Sequence, residues 1–329
     1  SFKKRVFSGS RPTGKLHLGN YLGAVKGYIE LQNREDLDCI YSVVDLHGIT
    51  TPYDKINFVK GVKEVVLDYL GAGLDPKKCH VMVQSSMRGE VLELAYYFAT
   101  IFPVSRVEDL PTYKEKKAQH PEYVNVGLLY YPILMAADIL FSKAELVPVG
   151  IDQEPHLELT REVARKFNSM FGETFPEPKR FDTPGRYVPS LLGTGKMSKS
   201  VEGSYINLTD DLETIKAKLA KAPTDSGKGE KFPAEGPAAN VMEFVELFQG
   251  HDRAMQYKEM YKVSGIMYNE LKEELAQAIY KELAPIQERR KYFEGHPEEV
   301  EAILEDGKNY AQTIAQETLK EVREKMGLL

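Results

Sequence analysis

Residues 9–20 read GSRPTGKLHLGN, a glycine-rich turn that runs into a segment of helical apolar spacing. Such a turn at a helix N-terminus offers free backbone N–H groups and the positive end of the helix dipole, which together suit a phosphate. His17 and Asn20, three apart at the first helical turn, can face one ligand. A tight turn closed by a capping Asn accounts for the same residues. Residues 193–200, GTGKMSKS, place Lys196, Ser198, Lys199 and Ser200 on a loop. Two lysines and two hydroxyls on a flexible loop can follow a moving pyrophosphate and neutralise its charge as it develops. A solvated basic loop is the plainer reading, but paired with the first turn it can close on one triphosphate from the opposite side. Tyr131, Met135 and Asp138 share one helical face by their offsets. A carboxylate among apolar residues needs a partner, either a basic side chain or a ligand's N–H or O–H. Asp152 and Gln153 end a further apolar run, VPVGIDQ at 147–153.

The first turn also nearly spells the phosphate loop of a nucleoside triphosphatase, with Gly9, Gly14 and Lys15 in register and IYSVVD (40–45) resembling a strand that ends in a metal-holding Asp. Two residues oppose that reading. Leu16 stands where a Ser or Thr must bind magnesium, and Pro12 removes an amide donor from a loop that works through amide donors.

The elements that position these residues alternate. Apolar runs at 4–8, 39–44, 80–84 and 145–149 read as strands, and 18–32, 90–102, 128–141 and 156–170 as helices. A further helix has Asp54 as its N-cap and Gly71 as its stop. This alternation predicts an α/β fold with a parallel sheet covered by helices on both faces, its ligands beyond the carboxyl ends of the strands. Residues 175–203 read as irregular and 222–239 as low-order. From 241 onward the pattern is helical, with Pro285 near the start of one helix and Gly307 and Gly327 as punctuation. With 329 residues, about two domains are expected, divided at 1–205 and 206–329.

Composition excludes several classes. The balance of charge is +1 over residues 1–205 and −7 over 206–329, so neither part is a polybasic binder of nucleic acid and RNA contacts must be local. Cys39 and Cys79 are the only cysteines; they cannot make a four-ligand metal site and are expected to be reduced. The first residues, SFKKR, precede no apolar segment of a signal peptide, and the most apolar stretch, 126–141, is too short and interrupted to span a bilayer. A cytoplasmic protein with no membrane partner is expected. Tryptophan is absent from the chain.

Taken together, these residues resemble the class I aminoacyl-tRNA synthetases, and within them the bacterial tryptophanyl-tRNA synthetases. HLGN (17–20) is similar to the class's HIGH motif, KMSKS (196–200) matches the second motif letter for letter, and GIDQ (150–153) is similar to the family's GEDQ. LTREVARKFN (159–168), PTDSGKG (223–229) and PIQER (285–289) extend the resemblance over most of the chain. The tyrosyl-tRNA synthetases are the alternative, but their corresponding helix usually reads Tyr-x3-Gln-x2-Asp, and the middle residue here is Met135. A thioether packs well on a flat indole. Two departures stand out: Asn20 replaces the motif's second His, and Arg11 occupies a position that is Gln in some relatives.

The resemblance implies a Rossmann-type catalytic domain, a C-terminal helical domain that meets the anticodon end of tRNA, and a homodimer. It implies activation of L-tryptophan by ATP and transfer to tRNA(Trp), with Mg2+ carried by the ATP and no metal site of the protein's own. His17, Lys196, Ser198 and Lys199 would act in catalysis, the first, second and last by neutralising the transition state. ATP would touch Arg11, Pro12, Thr13, Gly19, Asn20, Gly150, Ile151, Asp152 and Val188, together with Lys196, Met197, Ser198, Lys199 and Ser200. Tryptophan would sit among Phe7, Gly9, Tyr131, Met135, Val147 and Val149, its indole N–H on Asp138, with His47 and Gln153 at the polar end. Lys114, Lys116 and Lys117 either touch ATP or the acceptor end or are solvated surface lysines, and Arg289 and Arg290 are candidates to meet the tRNA. A regulatory paralogue that binds tryptophan or RNA without catalysis is the non-enzymatic alternative.

Overall fold

The computed structural model describes residues 2–182 and 187–328; residues 183–186, within the stretch expected to be irregular, lie outside the described residues. Strand β1 (Lys4–Ser10) leads through the glycine-rich turn into helix α1 (Leu18–Asn20), a π-helical turn (Tyr21–Val25) and α2 (Lys26–Gln32). Next come β2 (Leu37–Val43), α3 (Asp45–Gly48), α4 (Lys55–Ala72) and β3 (His80–Val83). A run of helices follows: α5 (Arg88–Ala99), α6 (Val104–Glu108), α7 (Pro111–Gln119) and α8 (Val126–Leu140). Strand β4 (Leu146–Pro148), α9 (Glu154–Phe171) and β5 (Lys179–Phe181) complete the sheet. After irregular residues 187–211 come α10 (Leu212–Ala220) and, beyond a second irregular stretch at 221–236, α11 (Pro237–Gln249), α12 (His251–Val263), α13 (Tyr268–Glu294) and α14 (Pro297–Met326).

The strands lie in the order β3-β2-β1-β4-β5, and every pairing is parallel. Side chains alternate across this sheet because the strand period is two residues. Val6, Tyr41 and Val81 point into one core with α2, α4, α11 and α13. Phe7, Ile40, Met82 and Val147 point into the other, with α5, α8, α9 and α14. The strand order reverses between β1 and β4, which opens a crevice at their carboxyl ends.

Strand β5 lies in the segment expected to be irregular. Its three residues carry no alternation of their own; pairing with β4, Val147 opposite Arg180, defines it. The stop of α4 is Gly73 rather than Gly71. Gly73 takes φ +118°, and the following N–H of Leu74 closes on the Tyr69 carbonyl, a conformation that glycine adopts without strain. Gly71 serves contact instead, since a Cβ there would lie 2.9 Å from the Arg290 Cβ and 3.0 Å from the Ile286 carbonyl. Pro285 falls inside α13, not near a helix start; buried Leu283 and Ile286 beside it hold the helix through the missing hydrogen bond. Gly307 likewise lies within α14, where a Cβ would stand 2.0 Å from the Val81 carbonyl. It lets a helix lie directly on strand β3. Gly327 does end α14, with φ +76°.

Candidate active site

A cavity of about 330 Å3 opens at the carboxyl ends of β1 and β4, a size suited to a small molecule. Phe7, Gly9, His47, Tyr131, Met135, Asp138, Val147, Val149 and Gln153 all line it. So do Arg11, Thr13, Asn20 and Gly150 from the residues expected at ATP. Gly9 has no room for a side chain: a Cβ would sit 2.8 Å from the Ser42 carbonyl of the neighbouring strand. Ser8, Ser10, Tyr28 and Val44 share the wall and were not foreseen. Tyr28 is tied to Ser8 Oγ at 2.9 Å, and Ser8 Oγ donates to the Pro148 carbonyl at 2.8 Å, fixing the floor between β1 and β4.

Helix α8 carries Tyr131, Met135 and Asp138 into this wall, as their spacing predicts. Asp138 is buried and well partnered. His47 Nε2 lies 2.6 Å from its Oδ2, and Gln84 Nε2 donates to Oδ1 at 2.7 Å and to Oδ2 at 2.8 Å. Oδ1 thus has one protein donor and keeps acceptor capacity for a ligand on the cavity side. The buried Nδ1 of His47 has no partner among the described residues. Gln84 was missed by the sequence reading. Its position at the carboxyl end of a strand was the available signal, because that end of a parallel sheet faces the crevice. The Arg11 guanidinium lies 5.9 Å over the Tyr131 ring, and its Nε is buried without a hydrogen-bond partner among the described residues.

Beside this cavity the glycine-rich turn meets the lysine loop. His17 caps α1: its Nδ1 accepts the Asn20 N–H at 3.3 Å, while Asn20 Oδ1 accepts the His17 N–H at 3.1 Å. The two side chains are therefore bound to each other's backbone, and only His17 Nε2 and the Asn20 NH2 remain to face a ligand. Burial, with Lys199 and Lys196 nearby, lowers the His17 pKa to about 4. His17 is neutral at pH 7, with the proton on Nε2, so it offers a hydrogen bond and not the positive charge expected from sequence.

Gly19 lies against the His17 ring, whose Cε1 would be 2.7 Å from a Cβ there, and in ordinary contact with the buried Met197. Met197 N–H donates to the Val188 carbonyl at 2.9 Å. Lys196 is half-exposed and lies 3.8 Å from Asp152, itself exposed beside exposed Ile151. Ser198 and Ser200 hydroxyls are 2.8 Å apart. Lys199 is drawn away from the cavity, donating to the Lys15 carbonyl at 2.8 Å and to Asn207 Oδ1 at 2.6 Å. It lines a separate surface pocket together with Pro12. Burial holds its ammonium pKa below the usual lysine range.

Other expected contacts change. Arg290 is buried in ion pairs with Glu64, Asp68 and Glu294, and Arg289 donates to the Gly71 and Ala72 carbonyls; both are committed to packing α13 on α4 and do not reach for tRNA. Lys116 lies near Arg11, and burial followed by that charge lowers its pKa. Asp45, which a triphosphatase would use for metal, accepts instead from the Ser85 N–H and hydroxyl. Leu16 is buried, its N–H donated to Asp68 at 2.7 Å.

The family model described as tRNA synthetases class I (W and Y) matches residues 3–284. The chain is 43% identical to the tryptophan–tRNA ligase of Caldanaerobacter subterraneus subsp. tengcongensis, covering 99% of both chains. The chain belongs to the class I tryptophan–tRNA ligases. A second member of the family, from Porphyromonas gingivalis, is 39% identical over 98% of each chain. Among solved structures, the tryptophanyl-tRNA synthetase of Campylobacter jejuni complexed with ADP and tryptophan superposes with a TM-score of 0.85 at 30% identity, over 98% of this chain and 100% of that one. The class I family carries the Rossmann-type sheet described above, and the triphosphatase reading falls with it.

Proposed function

We propose that this chain activates L-tryptophan with ATP and charges tRNA(Trp). The observation that carries this reading is Asp138, a buried carboxylate at the wall of a cavity of about 330 Å3, held by Gln84 and His47 with acceptor capacity to spare. A tryptophan carboxylate, ionised at pH 7, needs no general base to attack the α-phosphorus of ATP. As its oxygen bonds to phosphorus, the bond to the bridging oxygen of the β-phosphate breaks, and pyrophosphate leaves with the electron pair. A hydroxyl of the terminal ribose of tRNA then attacks the acyl carbon, and AMP leaves.

Positioning and charge stabilisation supply the rate. His17 Nε2–H donates to a phosphate oxygen, Lys196 and Lys199 neutralise the departing pyrophosphate, and Ser198 adds a hydrogen bond. Gly19, Asn20, Asp152, Val188 and Met197 hold the nucleotide. Lys199 must leave Lys15 and Asn207 to do its part. Magnesium arrives on the ATP, where it offsets phosphate charge. Among the described residues no group of three His, Cys, Asp or Glu side chains is placed to hold a metal.

In this reading residues 1–205 form the catalytic part and 206–329 the part that meets the anticodon end. Its −7 balance leaves base stacking and a few placed cations to make that contact. The enzyme works as a homodimer in the cytoplasm. Exposed Leu92 and Tyr96 on α5, with Val104 and Val126, offer an apolar face for a second copy, and no helix among the described residues is long and apolar enough to cross a membrane.

ATP–pyrophosphate exchange with tryptophan, tyrosine and phenylalanine in turn tests the substrate. Exchange driven by tryptophan alone supports the reading. Exchange driven by tyrosine would overturn the role given to Met135, and no exchange with any of the three would favour a binding paralogue.

A further inference from the structure

Asp68 lies far from the cavity in sequence but touches the turn that carries His17, and Arg290 holds Asp68. Asp68 is completely buried on α4, and its two oxygens are divided: Oδ1 takes Arg290 from α13, and Oδ2 takes the backbone N–H of Leu16 at 2.7 Å. Leu16 immediately precedes His17, so the carboxylate holds the peptide that sets where the imidazole starts. The same turn is gripped from its other side. Leu18 N–H donates to the Ile206 carbonyl at 2.9 Å, and Leu208 N–H to the Leu16 carbonyl at 3.0 Å. That segment is in turn held by α13, where Gln287 Nε2 donates to the carbonyls of Leu208 and Asp210 at 2.9 and 2.7 Å. Gln287 and Arg290 stand one helical turn apart, so one face of α13 fixes both supports of residues 16–18. One turn and a half earlier, Glu282 accepts the hydroxyl of Tyr21, at the start of the π-helical turn, at 2.9 Å.

A buried ion pair is a poor device for stability alone, because desolvation offsets most of its attraction. It is a good device for geometry, because each partner has a single satisfactory arrangement. We propose that Asp68 and Arg290 are positioning residues of the activation step, which set the place of the His17 turn from helix α13. The inference rests on the activation chemistry proposed above. Movement of α13 relative to α4 moves the Leu16 peptide with it, so the helical part of the chain has a direct mechanical hold on the site where phosphate is met.

The test compares D68N with E64Q in the full-length enzyme. Glu64 also pairs with Arg290 but makes no bond to the turn, so E64Q weakens the ion pair without releasing Leu16. Pyrophosphate exchange is measured well below each variant's melting temperature. D68N is expected to lower kcat by about 10- to 100-fold, the scale of a small misplacement of a reacting group, with the KM for tryptophan within about twofold of wild type. E64Q is expected to keep kcat within about twofold while melting earlier. Equal kcat values for folded D68N and E64Q would overturn the proposal and leave the pair a packing feature. If D68N does not fold, R290K replaces it: the charge stays, the two-pronged guanidinium is lost, and an unchanged kcat would overturn the proposal equally. Wild-type protein that gives no exchange with tryptophan would instead refute the activation reading, which separates the two failures.

Discussion

Replacing the substrate's indole N–H by a sulfur atom, as in the benzothienyl analogue of tryptophan, removes one donor and little else. A site built around a single buried acceptor rejects such an analogue by about 10^4- to 10^5-fold, because the acceptor is left with no partner. Asp138 is not in that position. Gln84 reaches both of its oxygens and His47 one, so loss of the ligand donor empties one acceptor site of a carboxylate that stays paired. The cost is then the net worth of one hydrogen bond to a charged group, about 1.5–3 kcal/mol, or roughly 10- to 150-fold in affinity. Because the chain contains no tryptophan, the intrinsic fluorescence of bound substrate reports its binding against a tyrosine background, and the analogue competes in the same titration. Discrimination above about 10^4 would mean that Gln84 and His47 do not share the carboxylate as described. Equal affinities would mean that the indole N–H does not meet Asp138. Asp138→Asn should be worse than the analogue, since it sets an amide donor against the donors of Gln84 or His47.

Three further outcomes follow from the same contacts. Lys199→Ala should slow pyrophosphate exchange by at least about tenfold with little change in tryptophan affinity, because Lys199 is away from the cavity; unchanged turnover would end its catalytic role. His17, with its pKa lowered to about 4, should leave kcat/KM, which reports the free enzyme, without an inflection from this histidine near pH 6.5. In stability the sign is the same: the unfolded histidine takes a proton below about 6.5 that the folded one refuses until about 4, so stability is full above 6.5 and falls as pH drops through that window. The full shift is worth roughly 3 kcal/mol, and urea unfolding of wild type against His17→Asn measures it. Gly307→Ala should cost at least the upper end of the usual 1–3 kcal/mol (about 3) for overpacking, because its methyl would overlap the Val81 carbonyl; a melting temperature within about 2 °C of wild type would refute that close approach.

Four of the five strands and the α8 residues of the cavity were legible because each rests on a local signal, while the other foreseen cavity residues came from the family resemblance. Tyr131, Met135 and Asp138 follow helical spacing, and β1 and β2 follow apolar runs bounded by turn residues. What remained hidden depends on partners distant in sequence. Gln84 is an ordinary polar residue until α8 brings Asp138 to it, and the three residues of β5 become a strand only beside β4. Gly71, Pro285 and Gly307 read as punctuation, yet the structure uses them where backbones meet or a helix is held by its neighbours. Arg290 read as a surface cation because charge in a sequence carries no sign of burial; Asp68, 222 residues away, decides otherwise. The charge state of His17 was hidden for the same reason, since burial and two loop lysines set it.

The close seat of α14 on strand β3 also governs when the molecule can finish folding. Val81 and Gly307 are separated by 226 residues, and at about 5–20 residues per second the second emerges roughly 11–45 s after the first. Until then the core that takes in Ala311, Ala315, Leu319 and Val322 lacks one wall, and β3 has no helix over it. Completion of the nucleotide-binding sheet thus waits until residues 307–322 have emerged, and a ribosome that stalls before them leaves an apolar surface open to chaperones or to other nascent chains.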